Sequence, residues 1–184
     1  MGHSHGKLNV NSKIATDNTD NSNKKAFDPN SPVPELSENE VTMLKDMWKI
    51  LNIHIAKVGT VMFADLFETH PEVQDVFMSF RTKDVSDLEY NKILRAHALR
   101  VMGTVDKCIY RLDNRDKLQD LMMALGMRHV NYSVKIQYID LMGPQFISSI
   151  KPHLENMWTE EHERAWKNLF QLMCYYMKKG MCSI

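Results

Sequence analysis

The chain has 184 residues, with 23 Lys plus Arg balanced by 23 Asp plus Glu. That length suits one core and a tail, and the zero net charge argues against a nucleic-acid binder, which needs a broad basic face. No apolar run approaches the roughly 18 residues of a membrane span and no signal-peptide core follows the start, so a cytoplasmic location is expected. Cys108, Cys174 and Cys182 are too few and too scattered for a disulfide framework or a zinc site.

Residues 1–36 are rich in Asn and contain Pro29, Pro32 and Pro34, with Phe27 as their only aromatic. Such a segment buries too little apolar surface to offset its ordering entropy, and a disordered extension is expected. Residues 37–184 have sparse turn punctuation and no strand-like alternation, which predicts an all-α domain. Ser37-Glu38-Asn39-Glu40 is a capping box, and Val41, Leu44, Trp48 and Leu51 follow at helical spacing. A second helix is expected over 56–69, bearing Val58, Met62, Phe63, Leu66 and Phe67. Pro71 suits the first turn of a short third helix ending near Phe77, and 78–87 read as a loop. A fourth helix (88–107) aligns Leu94, His97, Val101 and Val105. A fifth (115–129) aligns Leu118, Leu121, Met122, Leu125 and His129. A long sixth helix is expected over 134–151. Gly143-Pro144 lies inside it, and an interior proline costs about 3 kcal/mol unless the helix kinks, so a kink is expected near 140–144. Thr159, followed by Glu160 and Glu161, marks the start of the last helix, which carries Trp166, Leu169, Phe170 and Met173.

Of the eight histidines, His3, His5, His54, His70, His153 and His162 fall in the tail, near helix ends or among polar neighbours. His97 and His129 instead occupy the apolar stripes of successive helices. A neutral imidazole among aliphatics must satisfy both ring nitrogens. Either each is a core histidine bonded to a carbonyl, or the two converge on a shared ligand. Two imidazoles make an incomplete zinc site, which needs four donors, and neither stripe carries a Cys or an acid. Haem iron needs only one or two axial ligands from the protein, because the porphyrin supplies the other four.

Several ordered motifs extend this reading. Gly59-Thr60-Val61-Met62-Phe63-Ala64 and Leu66-Phe67 precede Pro71 and Phe77. His97 is followed by Arg100 and Val101, Leu125-Gly126-Met127-Arg128-His129 comes next, and Trp48 and Trp166 sit in the first and last helices. Over residues 37–180 this set resembles the globins, and among them the neuroglobin and globin X branch. The resemblance implies a globin fold, a three-over-three helical sandwich, holding haem b. It implies His129 as proximal iron ligand, its other ring N–H donated to a carbonyl one turn earlier near Leu125. Leu125 and Val134 would pack on the proximal haem face, and Phe77 against the porphyrin with Phe80 helping to close the pocket. Phe63 would lie above the distal pocket with Val101 nearby, and Arg100 would reach a propionate. His97 would either hydrogen-bond a diatomic ligand or, as in the hexacoordinate branch, bind the iron itself; the flanking residues favour the second.

The implied partners are oxygen, NO, CO or nitrite and an unidentified electron donor. The expected use is reversible binding with a redox, NO-related or sensing role. The alternative is a haem enzyme, a nitrite reductase or NO dioxygenase, served by a separate reductase. A haem-free helical interaction protein is the third class. Gly2 could accept an N-myristoyl group, but Gly6 stands where Ser or Thr is usual, and one acyl chain with Lys7 and Lys13 would give only weak membrane association.

Overall fold

The computed structural model describes residues 26–76, 87–154 and 156–183. Seven α-helices are described: α1 (Glu38–Leu51), α2 (Ile55–Thr69), α3 (Pro71–Gln74), α4 (Asp87–Ile109), α5 (Arg115–Asn131), α6 (Met142–Ile150) and α7 (Glu160–Met181). No strand occurs among the described residues. The all-α class is as expected. In one layer α6 touches both α2 and α7; in the other α1 touches α4. Across the layers α5 and α1 pack on α7, and α4 packs on α2. This is the three-over-three sandwich of the globin fold.

The helix starts follow from local chemistry. Ser37 Oγ accepts the Glu40 N–H at 3.2 Å, and the Glu40 carboxylate accepts the Ser37 N–H at 2.9 Å, closing the expected capping box. Asn168 of α7 donates to the same carboxylate at 2.7 Å. Burial alone would raise the Glu40 pKa, but the bonds from Ser37 and Asn168 and the charge of Arg164 hold it below the usual carboxylate range. One side chain therefore caps α1 and ties it to α7. At α7, Thr159 Oγ1 accepts the His162 N–H, and His162 Nδ1 faces the Thr159 backbone N–H at 3.2 Å. Thr159 is the cap that was expected, with a histidine in the role that Glu or Gln usually plays.

Against the expectation that no run approaches a membrane span, Glu38–Thr69 is, by length and composition, apolar enough to cross a membrane. A 3₁₀ turn at Asn52–His54 divides it, and Leu44, Met47, Leu51, Val58, Met62, Phe63 and Leu66 are buried in the common core. These are two core helices meeting at a corner. Two tryptophans tie these helices together: Trp48 Nε1 donates to Asp106 of α4 at 2.7 Å within one layer, while Trp166 of α7 packs on Trp48 across the layers and on Phe146.

Three expectations change. The long sixth helix does not form. Ile136–Leu141 is a 3₁₀ helix and α6 begins at Met142. Pro144 is then the third residue of α6, in the turn whose backbone N–H groups have no intrahelical partner, so a proline there sacrifices no hydrogen bond. The change of helix type takes the place of a kink. Second, α3 ends at Gln74, with Pro71 in its first turn; Phe77 and Phe80 lie outside the described residues.

Third, packed structure begins well before Ser37. Phe27 meets Tyr175 edge-on at 5.6 Å, and the Tyr175 hydroxyl lies 3.1 Å from the Pro29 carbonyl and 2.9 Å from that of Ser31. Leu36 is buried, and Arg115 donates to its carbonyl at 3.3 Å. Residues 27–36 form a strap along α7, because a few aromatic and carbonyl contacts suffice where helices already provide the surface. Gly2 lies outside the described residues.

Pro144→Ala is expected to change unfolding free energy by less than about 1 kcal/mol in urea denaturation, against about 3 kcal/mol for a proline in a helix interior.

Candidate functional site

α4 and α5 bring the two singled-out histidines to one place. His97 is half-buried on α4, with its ring edge-on to Phe63 of α2 at 4.9 Å and 75°. Phe63 is 1% exposed. Burial pushes the His97 imidazole down to about 4, helped by the positive charges of Arg100 and of His129. His97 is thus neutral at pH 7, and the two imidazoles lie close enough to feel each other's charge.

His129 is also half-buried, near the end of α5. Its Nδ1 lies 2.9 Å from the Leu125 carbonyl oxygen. A carbonyl can only accept, so Nδ1 carries the proton and Nε2 keeps its lone pair. Nε2 makes no hydrogen bond among the described residues. Burial lowers the His129 pKa, the Leu125 bond opposes that shift, and Arg128 adds to it. This is the carbonyl one turn earlier that the resemblance implied.

The surroundings are mostly apolar. Val101, Leu121, Leu125 and Val134 are half-buried and pack on the core. α5 ends in a tight reversal in which Val134 N–H bonds back to the His129 carbonyl at 3.2 Å and Ser133 takes φ 58°. That left-handed conformation favours glycine and carries local strain in a serine; it returns Val134 to the end of the helix that bears His129. Arg100 is exposed, and its charge reaches His97. Phe63 thus flanks His97, Val101 and Arg100 lie one turn along α4 from that histidine, and Leu125 and Val134 adjoin His129.

Among the described residues no group of three or more His, Cys, Asp or Glu could hold a metal ion. The pair of imidazoles is therefore short of donors for zinc. It suits a metal that arrives with four donors of its own, which is the donor chemistry of a porphyrin.

The globin family model matches residues 60–177. The chain belongs to the globin family. Globins are haem-binding, oxygen-binding proteins, and this globin is related to neuroglobins and cytoglobins. It is 27% identical over 145 residues to cytoglobin-1 of Oryzias latipes, covering 78% of this chain and 82% of that one. It is 26% identical over 147 residues to neuroglobin of Dissostichus mawsoni, covering 79% and 92%. In fold it is similar to a hexacoordinated haem protein from an anhydrobiotic tardigrade, with TM-score 0.73 and 23% identity over 85% of this chain and 100% of that one. The deoxy haemoglobin of Dasyatis akajei gives TM-score 0.66 and 17% identity, covering 79% and 98%.

Two features of the globin had no sequence signal. His54 and His153, far apart in the chain, stack at 4.8 Å and 24° where the 3₁₀ corners Asn52–His54 and Lys151–His153 meet. Gly126, noticed only as part of a motif, is buried against α7. The cysteines stand apart from the site: Cys108 packs on Met122 and Cys174 on the Ile139 carbonyl. Burial pushes both thiols up to about 12, whereas Cys182 is exposed. A thiol reagent at pH 8 is expected to modify one cysteine in the native globin and all three in denaturant, by mass spectrometry. Rapid native modification of Cys108 or Cys174 would contradict this packing.

Proposed function

We propose that this globin holds haem b between His129 and His97, with both imidazoles as axial ligands in the resting state, and that it serves a redox, NO-related or sensing role. The observation that carries the reading is the convergence of two neutral imidazoles from successive helices, one with its Nδ1 already committed to the Leu125 carbonyl. That bond fixes the ring's tautomer and orientation and raises the basicity of Nε2, the atom offered to the metal. Haem, when bound, supplies a site for oxygen, NO, CO or nitrite and a one-electron couple.

The chain's own residues set the terms of access. Val101, Leu125, Val134 and Phe63 are the apolar side chains that would keep water from the metal between the two imidazoles, which would protect a ferrous centre from oxidation. His97 competes with any external ligand. Only molecules with His97 detached can bind one, so apparent affinity falls by that fraction. This makes a poor bulk oxygen store, while two fixed imidazoles suit electron transfer with little rearrangement. Arg100 is the residue we assign to a haem propionate, through a charge-assisted bond. The hexacoordination of the tardigrade protein is consistent with this reading.

The purified globin is expected to show low-spin, six-coordinate absorption spectra in both oxidation states without added ligand. A water-ligated, high-spin ferric spectrum would refute the role of His97 and leave that of His129 intact. His129→Ala is expected to lose stable haem retention on gel filtration. His97→Ala should keep haem and bind CO faster in flash photolysis, because the competing ligand is gone.

A further inference from the structure

α5 meets α7 at a pair of glycines. A Cβ on Gly126 would lie 1.9 Å from the Met177 carbonyl oxygen and 2.8 Å from its carbon. A Cβ on Gly180 would lie 2.2 Å from the Met123 carbonyl oxygen and 2.7 Å from Met123 Cα. The opposing atoms are all backbone, so no change of rotamer relieves either contact. The helices touch main chain to main chain, each glycine facing a carbonyl of the other, and any side chain at either point forces them apart.

The position of this contact matters. Gly126 adjoins Leu125, whose carbonyl holds His129 Nδ1, and precedes His129 by three residues. One short piece of helix therefore carries the contact, the orienting carbonyl and the imidazole. Leu118, Met122 and Gly126 are the buried residues of α5. Beyond them Met127, Arg128, Val130 and Asn131 are exposed. The glycine contact is the last buried anchor before His129.

We infer that the α5–α7 crossing at Gly126 and Gly180 is the positioning device for the His129 imidazole, seating it by backbone contact with α7. The inference rests on the reading of His129 as axial ligand proposed above. Gly126 and Gly180 are positioning residues; neither touches the cofactor. The contact predicts that α5 docks on α7 in the haem-free chain as well.

Two measurements test this. In the haem-free full-length wild type, hydrogen exchange followed by NMR should show the amides of residues 123–127 protected to within about tenfold of those at 177–180. Exchange of the α5 amides at the rate of an unstructured peptide, with or without loss of protection in α7, overturns the inference. In the haem-loaded protein, Gly180→Ala should speed haem transfer to an acceptor apoprotein by about tenfold or more, as for other losses of support behind a metal ligand. It should also shift the electron paramagnetic g values that report axial ligation. Ile150→Val is the control, lowering the melting temperature without altering haem transfer or g values. A Gly180→Ala protein that melts lower but transfers haem within twofold of wild type, with unchanged g values, reduces the crossing to ordinary packing and overturns the inference. If Gly180→Ala does not fold, the exchange experiment on the wild type decides. If the wild type takes up no haem, the proposed function fails, while the exchange experiment still tests whether α5 is docked.

Discussion

An imidazole taken out of water must either lose its charge or find a partner for it, and two of them within reach of each other's charge raise that demand. Here both are held neutral by burial, and each is also disfavoured as a cation by a neighbouring arginine, Arg100 for His97 and Arg128 for His129. A neutral imidazole has one N–H and one lone pair. His129 spends its N–H on the Leu125 carbonyl, which leaves the lone pair as its remaining chemistry.

Each imidazole takes its position from a different neighbour. His97 lies against the buried ring of Phe63 on α2, so the packing of α4 on α2 sets one side. His129 depends on α5, whose closest partner is α7. The N-terminal strap supports α7 through Tyr175 and reaches the start of α5 through Arg115. Segments far from the site therefore bear on it through rigid helices and not through direct contact. Each arginine beside a histidine adds to the same electrical effect as burial, which keeps the ligand form of the ring available at neutral pH.

Proline and 3₁₀ geometry show how a local rule can be right while the element inferred from it is wrong. An interior proline is costly, and residues 134–151 read as one helix would have contained one. The chain avoids the cost by winding Ile136–Leu141 as 3₁₀ and restarting at Met142, so that Pro144 falls where no donor is needed. Periodicity alone does not separate a 3₁₀ segment from an α-helix over so few residues, because apolar side chains recur at three in both.

Caps and apolar stripes were legible in the residues because each is local, while the proximal motif was legible through the resemblance to globins. Ser37 with Glu40, Thr159 before two acids, and His97 and His129 on apolar faces all act within a turn or two of chain, where helical spacing brings partners together. The carbonyl that orients His129, which the resemblance implied, sits one turn away. The strap on α7, the meeting of His54 with His153, and the approach of Gly126 and Gly180 to the main chain of the facing helix left no such trace. Their partners lie many residues apart, and each contact exists only once packed helices have brought distant backbone together. A glycine in a helix reads as a weak point in the chain; it becomes a contact only when a second helix arrives within reach of its missing side chain.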